Sequence, residues 1–273
     1  MSMIQFLIGA ALAAATPQST APPPPAALPD AQPAMWVVND EDTIIYLFGT
    51  FHALDEKSEW FNDEVKTAFT QSQQLVLEAL VPAAPAAPVK GPLALRGRTP
   101  GTLPAVAGSP TFLTTTKQVM AAGRSQGMRS DSGADAVLRR AAEAAGKPVG
   151  ALETPEFQLG MMRRMPSAAR PDTPVQAAVE LRQMGTVLAF LQAAWKRGDV
   201  DSFNVLLEDM RLKSPVSYKL LFRDRNERWA GWVADRLTQP GTVFVAVGAG
   251  HLSGPDSLQH KLADRNIRSA RLN

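Results

Sequence analysis

Two stretches of the chain decide its fold: residues 242–251 read TVFVAVGAGH, and residues 44–52 read IIYLFGTFH. In each stretch an apolar run of β-type residues stops at a glycine, and a histidine follows three positions later. Continuous apolar runs are typical of strands that are buried on both faces of a parallel sheet. Because ligands bind such sheets outside the carboxyl ends of the strands, these segments predict a site that contains His52 and His251.

The glycines of the two Gly-x-x-His segments have a physical reason to lie beside a ligand. Glycine adopts backbone conformations that other residues resist, and it lets a ligand approach the backbone closely. The candidate loop residues of the site are therefore Gly49, Thr50, Gly248 and Gly250.

Two further strands end on a carboxylate. The apolar run Leu75–Leu77 is followed by Glu78, and the short predicted strand 148–152 is followed by Glu153. If these strands are parallel neighbours, two imidazoles and two carboxylates converge. Two imidazoles and one carboxylate suit a divalent transition metal ion or a metal-free acid–base site. Glu153 precedes Thr154-Pro155, so capping of the next helix is the competing interpretation of this residue.

The predicted helix that begins at Ser214-Pro215 carries two accessory candidates. Its apolar stripe includes Phe222 and Trp229, and Asn226 falls on the same stripe. A buried amide must be hydrogen-bonded, either to loop backbone or to a group of the site. The neighbouring Arg225 has the length to reach a carboxylate, although solvation is the commoner state of such an arginine.

The remaining pattern predicts an α/β fold with a central mixed sheet flanked by helices. A hairpin covers 36–48, and a last strand covers 267–272. The predicted helices span 62–73, 111–122, 134–145, 155–165, 173–197, 214–239 and 255–264. His260 lies in the last of these helices and is predicted to be exposed and without function.

The N-terminal part of the chain predicts export. Residues 1–15 are apolar and end in small residues, as in a secretory signal segment, although no Lys or Arg precedes Lys57. Residues 16–34 hold seven prolines and predict an extended tether. Residues 35–273 then form a single domain, with a second proline-rich stretch, 82–110, as a surface excursion. We therefore expect a periplasmic or envelope-associated protein, with no membrane span beyond the N-terminal segment.

Composition excludes several classes of function. The chain has no cysteine, which removes disulfides, thiolate metal sites and cysteine nucleophiles. It has 28 Lys and Arg against 26 Asp and Glu, so a net charge of +2 over 273 residues gives no electrostatic case for binding nucleic acid.

Taken together, the motifs resemble the TraB/GumN/PrgY family, which includes the Tiki membrane-tethered proteases. The hallmark elements are the two Gly-x-x-His segments and the intervening Glu78. Supporting segments, in chain order, are Trp36–Val38, Ala134-Asp135 with Leu138, Leu152–Thr154 with Gln158, Asp224–Asn226 with Trp229, and Leu252 with Gly254.

This resemblance implies a fold similar to the erythromycin-esterase and ChaN-like group, and a metal-dependent hydrolase of peptidase type. It implies that His52, Glu78 and His251 form the catalytic core and bind an ion such as Mn, Co or Zn. The substrate would be a peptide or a small ester or amide. In this interpretation Asn226 or Arg225 orients water or stabilises an oxyanion.

Three other functions remain open from the sequence. A metal-free hydrolase would use His52 as general base, with Glu78 orienting it. A periplasmic binding module would use a histidine as an axial ligand of haem. A degenerate scaffold would bind a partner protein, although the intact His and Glu residues argue against it.

Overall fold

The computed structural model describes residues 31–80, 110–166 and 173–273. Within these residues the strands are β1 (Met35–Asn39), β2 (Thr43–Thr50), β3 (Gln74–Ala79), β4 (Val149–Glu153), β5 (Gly241–Gly248) and β6 (Ala270–Arg271). The longer helices are α1 (Asp63–Gln71), α2 (Pro110–Ser125), α3 (Ala134–Ala144), α4 (Pro155–Arg164), α5 (Pro174–Lys196) and α6 (Asp201–Lys213). They are followed by α7 (Pro215–Tyr218), a π-helical segment (Lys219–Arg223), α8 (Asp224–Leu237) and α9 (Leu258–Ala263).

The strands form one mixed sheet in the order β4-β3-β5-β2-β1-β6. Strands β4, β3, β5 and β2 are mutually parallel neighbours, and β1 pairs antiparallel with both β2 and β6. The four parallel strands therefore end at the same edge of the sheet. The predicted α/β fold with a mixed sheet and flanking helices is confirmed.

Two hydrophobic cores lie on opposite faces of the sheet, because successive strand residues point to opposite sides. Phe244 and Ala246 of β5 pack with residues of α1, α3 and α5, whereas Val243, Val245 and Val247 pack with residues of α8 and α9. The sheet is thus covered on both faces, which explains the continuous apolar runs in its central strands.

Several predicted elements differ from the observed ones. Helix α6 was not predicted, and the helix predicted over 214–239 is interrupted by the π-helical segment. The helix predicted over 255–264 begins only at Leu258, because Ser257 accepts a hydrogen bond from the backbone N–H of His260 as its N-cap. His260 is exposed, as predicted. The last strand has only two residues, Ala270 and Arg271.

The first described residues of the chain contact the domain. Ala31 and Ala34 are buried, and the side-chain amide of Asn62 donates to the carbonyl of Ala31 at 2.8 Å. The last four residues of the predicted tether therefore pack against the domain, because they include small apolar side chains that the core accepts. The predicted signal segment, the tether up to residue 30 and the proline-rich residues 82–109 lie outside the described residues.

Candidate active site

The ends of the four parallel strands bring together four residues that were predicted from the sequence to lie at one site. Glu78 and Glu153 lie at the ends of β3 and β4, and His52 and His251 follow β2 and β5. Glu153 and His251 are buried, Glu78 is largely buried, and His52 is exposed. The convergence follows from the strand order, since these strands are adjacent and parallel.

Arg225 holds three of these four side chains together. Its Nε donates to Glu153 Oε1 at 2.7 Å, and its Nη2 donates to Glu153 Oε2 at 2.9 Å and to Glu78 Oε2 at 2.7 Å. Its Nη1 donates to His251 Nε2 at 3.0 Å and to the carbonyl of Leu221 at 3.3 Å. A guanidinium has five N–H groups, and these five contacts use all of them. Arg225 therefore has no donor left with which to stabilise an oxyanion.

Asn226 fixes the protonation of His251. Its amide nitrogen donates to the carbonyls of His251 and Asp256 at 3.2 and 2.7 Å, so its amide oxygen is the atom that faces His251 Nδ1 at 2.7 Å. Nδ1 must then carry the proton, and Nε2 is the acceptor for Arg225. Both open interpretations of Asn226 apply, because it binds loop backbone and a predicted site residue at once.

The charges of the buried cluster follow from these contacts. Burial lowers the pKa of His251 to about 3, and Arg225 adds to the effect, while Glu78 opposes it. Burial alone would raise the pKa of Glu78, but electrostatic interactions with His251, Arg225 and His52, together with the hydrogen bond from the N–H of Gly248, lower it to about 2. At neutral pH the cluster thus contains an ionised Glu78 and an uncharged His251.

Glu153 is part of this cluster and is not the helix cap. The side chain of Thr154 caps α4 by accepting from the backbone N–H of Phe157. Glu153 has a side chain only 2% exposed, and it pairs with Arg225 and accepts from Gln158 at 3.2 Å. The capping interpretation of Glu153 is therefore wrong.

His52 occupies a different environment from His251. Its side chain is 67% exposed, and its Nδ1 lies 2.7 Å from Asp135 Oδ2. The other oxygen of Asp135 accepts a hydrogen bond from Thr50 Oγ1 at 2.7 Å. The negative charge of Asp135 raises the pKa of His52 to about 9 against the opposing effect of burial. Sequence reasoning expected Glu78 to orient His52 in a metal-free site, whereas Asp135 makes that contact.

Gly248 has no side chain, so the position that a Cβ atom would fill is empty. We call the space at this position, between His52 and Glu78, the open point above Gly248. A Cβ atom built on Gly248 would lie 3.1 Å from Glu78 Oε1 and 3.2 Å from His52 Nε2. The backbone N–H of Gly248 donates to the same Glu78 oxygen at 2.5 Å. The absence of a side chain at this position therefore leaves room for a small polar group that contacts both residues.

The other two glycines among the candidate loop residues act through packing. A Cβ on Gly49 would lie 3.3 Å from Ala249, and a Cβ on Gly250 would lie 3.1 Å from the ring of Phe222. The carbonyl of Gly49 accepts from Trp195 Nε1 at 2.7 Å. These contacts let the two Gly-x-x-His segments lie against each other and against the helices.

The donor set does not fit an ion held by His52, Glu78 and His251. Both nitrogens of His251 are occupied by Arg225 and Asn226, and Arg225 also binds Glu78. In residues 31–80, 110–166 and 173–273, no group of three or more His, Asp or Glu side chains is arranged to hold a metal ion. A fixed guanidinium charge beside Glu78 also opposes a divalent cation. The metal ion stays a prediction.

The described residues also form a cavity of about 820 Å³. It is lined by residues of 55–63 and of 131–140, among them Trp60, Phe61 and Arg140. None of the predicted site residues lines this cavity, so it is distinct from the open point above Gly248.

None of the helices in the described ranges has the length and apolar character to cross a membrane.

Comparison with models of protein families identifies the family of the chain. The model of the TraB/PrgY/gumN family matches residues 34–104 and 103–271. The chain belongs to this family. YbaP of Escherichia coli K12, which is described as uncharacterized, is 30% identical over 140 residues, or 50% of each chain. YbaP of Shigella flexneri matches to the same extent. The chain thus spans about half the length of the curated relatives it matches, and no solved structure matches it.

Because no solved structure matches the chain, the expected fold group is not tested by this comparison. Similarity to the erythromycin-esterase and ChaN-like group stays a prediction, while membership of the TraB/PrgY/gumN family is confirmed across the described domain.

Proposed function

We propose that this member of the TraB/PrgY/gumN family hydrolyses an ester or amide bond at the open point above Gly248, without a metal ion. The observation that supports this proposal is that His52 Nε2 and Glu78 Oε1 both face that point, at 3.2 and 3.1 Å from the position of the missing Cβ. Because both atoms lie within 3.2 Å of one point, they are close enough to each other for a single water molecule, displaced from the Cβ position so that it clears Gly248 Cα, to donate one hydrogen to each residue.

In this mechanism His52 is the general base and Glu78 orients the water. His52 Nε2 takes a proton as the water oxygen attacks the carbonyl carbon of the substrate. The bond from that carbon to the leaving oxygen or nitrogen then breaks, and His52 returns the proton to the leaving group. The products are a carboxylic acid and an alcohol or amine. Because only the neutral ring accepts a proton, the rate is expected to rise with pH up to about 9, the raised pKa of His52.

Arg225 contributes by holding Glu78 rather than by contacting substrate. Its contacts with Glu78 and Glu153 fix the Glu78 carboxylate, and Gly248 N–H fixes the oxygen nearest to the open point. A carboxylate that is already oriented does not have to reorganise during the reaction. The substrate class, a peptide or a small ester or amide, belongs to the proposal, as does location in the periplasm or envelope.

The test is a single methyl group placed at the open point. Gly248 has φ −53° and ψ 135°, a conformation that alanine adopts without strain. We expect Gly248→Ala to lower hydrolysis of nitrophenyl ester and anilide probes by at least ~100-fold, the usual contribution of an acid–base group. Its free energy of unfolding should stay within about 1 kcal/mol of the wild type, because only side-chain atoms of His52 and Glu78 must give way.

Gly160→Ala is the matched control. A Cβ on Gly160 meets nothing within 4 Å, so this variant adds the same methyl group away from the site. It should hydrolyse the probes at the wild-type rate. A Gly248→Ala variant as active as the wild type would reject the proposal, and so would a wild-type chain that hydrolyses no ester, amide or peptide probe.

A further inference from the structure

Asp135 has a role that the sequence motifs do not assign. We propose that Asp135, supported by Thr50, is a positioning residue that fixes the ring of His52 so that Nε2 faces the open point above Gly248. This inference rests on the hydrolase function proposed above, because it assigns a residue that acts through His52.

The exposed His52 ring needs such a constraint. Its side chain is 67% exposed, so packing alone does not hold the ring in one orientation. Within the described part of the chain, the one side chain hydrogen-bonded to it is Asp135, at 2.7 Å from Nδ1. Since Nδ1 and Nε2 flank the same carbon, Cε1, in one rigid planar ring, holding Nδ1 restricts the direction in which Nε2 points.

Asp135 is itself held from two directions. Thr50 Oγ1, which is buried, donates to Asp135 Oδ1 at 2.7 Å and leaves Oδ2 for His52. The backbone N–H of Ala134 donates to the carbonyl of Phe51 at 3.0 Å, which joins the first turn of α3 to the Gly-x-x-His segment. The carboxylate therefore cannot move independently of the segment that carries His52.

The absence of a side chain at Gly133 makes this close approach possible. A Cβ on Gly133 would lie 2.2 Å from the carbonyl oxygen of His52, closer than any real contact. Glycine at this position lets the start of α3 lie directly against the backbone of His52. The contact between Asp135 and His52 is thus built into the packing of α3 on the end of β2.

A purely structural role for Asp135 predicts a different result. An acidic residue in the first turn of a helix stabilises the helix dipole, and an exposed ion pair adds little stability. Asp201 in the first turn of α6 occupies the same kind of position, without a histidine contact. Asp201→Asn is therefore the matched control for Asp135→Asn, because both changes remove one negative charge from a helix start.

The experiment combines steady-state kinetics with NMR of the ring N–H protons. At pH values above 9, where the wild-type His52 ring is neutral, we expect Asp135→Asn to lower kcat for the ester probe at least ~100-fold and to change KM less than ~2-fold, because binding is untouched while the base is misdirected. In the wild type, the His52 Nδ1–H bonded to a carboxylate should give a far-downfield proton resonance. That resonance should be absent from Asp135→Asn and present in Asp201→Asn. Thr50→Val should lower kcat to a smaller extent.

The outcomes of this experiment distinguish failure of the role of Asp135 from failure of the proposed hydrolase function. An unchanged kcat in Asp135→Asn, or persistence of the downfield resonance in that variant, would overturn the role of Asp135. If Asp135→Asn does not fold, Thr50→Val decides, and a wild-type kcat in that variant counts against the inference. A wild-type chain that lacks hydrolysis rejects the proposed function, and the resonance then decides by itself whether Asp135 fixes the ring.

Discussion

At the residue scale, Arg225 is the side chain on which the rest of the buried cluster depends. Its side chain is 7% exposed, and it lies between two carboxylates whose side chains are 13% and 2% exposed. A lysine could not replace it, because an ammonium has three N–H groups in a compact arrangement, whereas Arg225 uses five in a planar fork. Removing the guanidinium would leave Glu78 and Glu153 buried without the charged group that is hydrogen-bonded to both of them.

The first prediction concerns the stability that Arg225 provides. Arg225→Met should lower the free energy of unfolding by about 3–5 kcal/mol, the usual cost of breaking a buried ion pair from one side. Arg228→Met is the control, because Arg228 is 44% exposed and lies 3.9 Å from Glu153; it should cost about 1 kcal/mol or less. Urea unfolding of both variants measures the difference. Equal losses of stability in the two variants would contradict the described cluster.

The second prediction concerns acid stability and the lowered pKa of Glu78. A carboxyl group whose pKa is lower in the folded state adds stability at pH values above its ordinary pKa. That stability is lost as pH falls through the folded value. For Glu78 this loss occurs between pH 4.5, its ordinary pKa, and about pH 2, its pKa in the folded state. The unfolding free energy lost over this range is roughly 3 kcal/mol.

Glu78→Gln provides the test, because the amide keeps the shape of the side chain but does not titrate in this window. Between pH 5 and about pH 2 the wild type should lose roughly 3 kcal/mol more unfolding free energy than Glu78→Gln does. Chemical unfolding at a series of pH values measures both curves. If the unfolding free energies of the wild type and Glu78→Gln fell equally over this pH range, the pKa of Glu78 would not be lowered by its neighbours.

The sequence identified most of the residues of this cluster but not their contacts. His52, Glu78, Glu153 and His251 could be predicted because each follows an apolar strand, and strand ends share one edge of the sheet. Asp135 could not be assigned in the same way, since it lies in the first turn of a helix, where acidic residues are common for electrostatic reasons. Gly133 beside it was the available signal, because a glycine before a helix permits close packing.

At the scale of elements, the strands and the capped helices followed from local chemistry. Thr173 accepts from the backbone N–H of Gln176 and precedes a proline at the first helical position, which is how the start of α5 was predicted. Ser214 looked alike in sequence but makes no side-chain capping bond in the structure. The start of α7 was therefore predicted correctly, but only the proline at the first helical position, and not the capping side chain, applies there.

Helix α6 and the π-helical segment could not be predicted from the local sequence. Phe203 and Leu207 of α6 are buried, but Val205 and Leu212 are exposed, so its apolar residues do not mark a single face. In the π-helical segment Lys219–Arg223, Phe222 packs on the distant His251, and the carbonyl of Leu221 accepts from the side chain of Arg225, four residues later. π-helical turns often occur at functional sites, and this one immediately precedes Arg225 and Asn226.

At the scale of the whole molecule, strand order decides which residues meet. Strand β5 lies between β3 and β2 although it comes last of the three in the chain, so the end of β5, at Gly248, lies between the strand ends that carry Glu78 and lead to His52. Periodicity and composition do not contain this order, because it depends on packing between distant segments. The family resemblance implied the same three residues, but it did not show that Arg225 occupies the space between the buried ones.

We propose that Arg225, and not a metal ion, holds the buried carboxylates and His251 in place for hydrolysis. The most direct test is to dialyse the wild-type chain exhaustively against a chelator and then to measure its metal content and its hydrolysis of the ester probe on the same sample. Our account predicts that hydrolysis persists while Mn, Co and Zn fall far below one ion per chain. Loss of hydrolysis that is restored by adding one of these ions would contradict it.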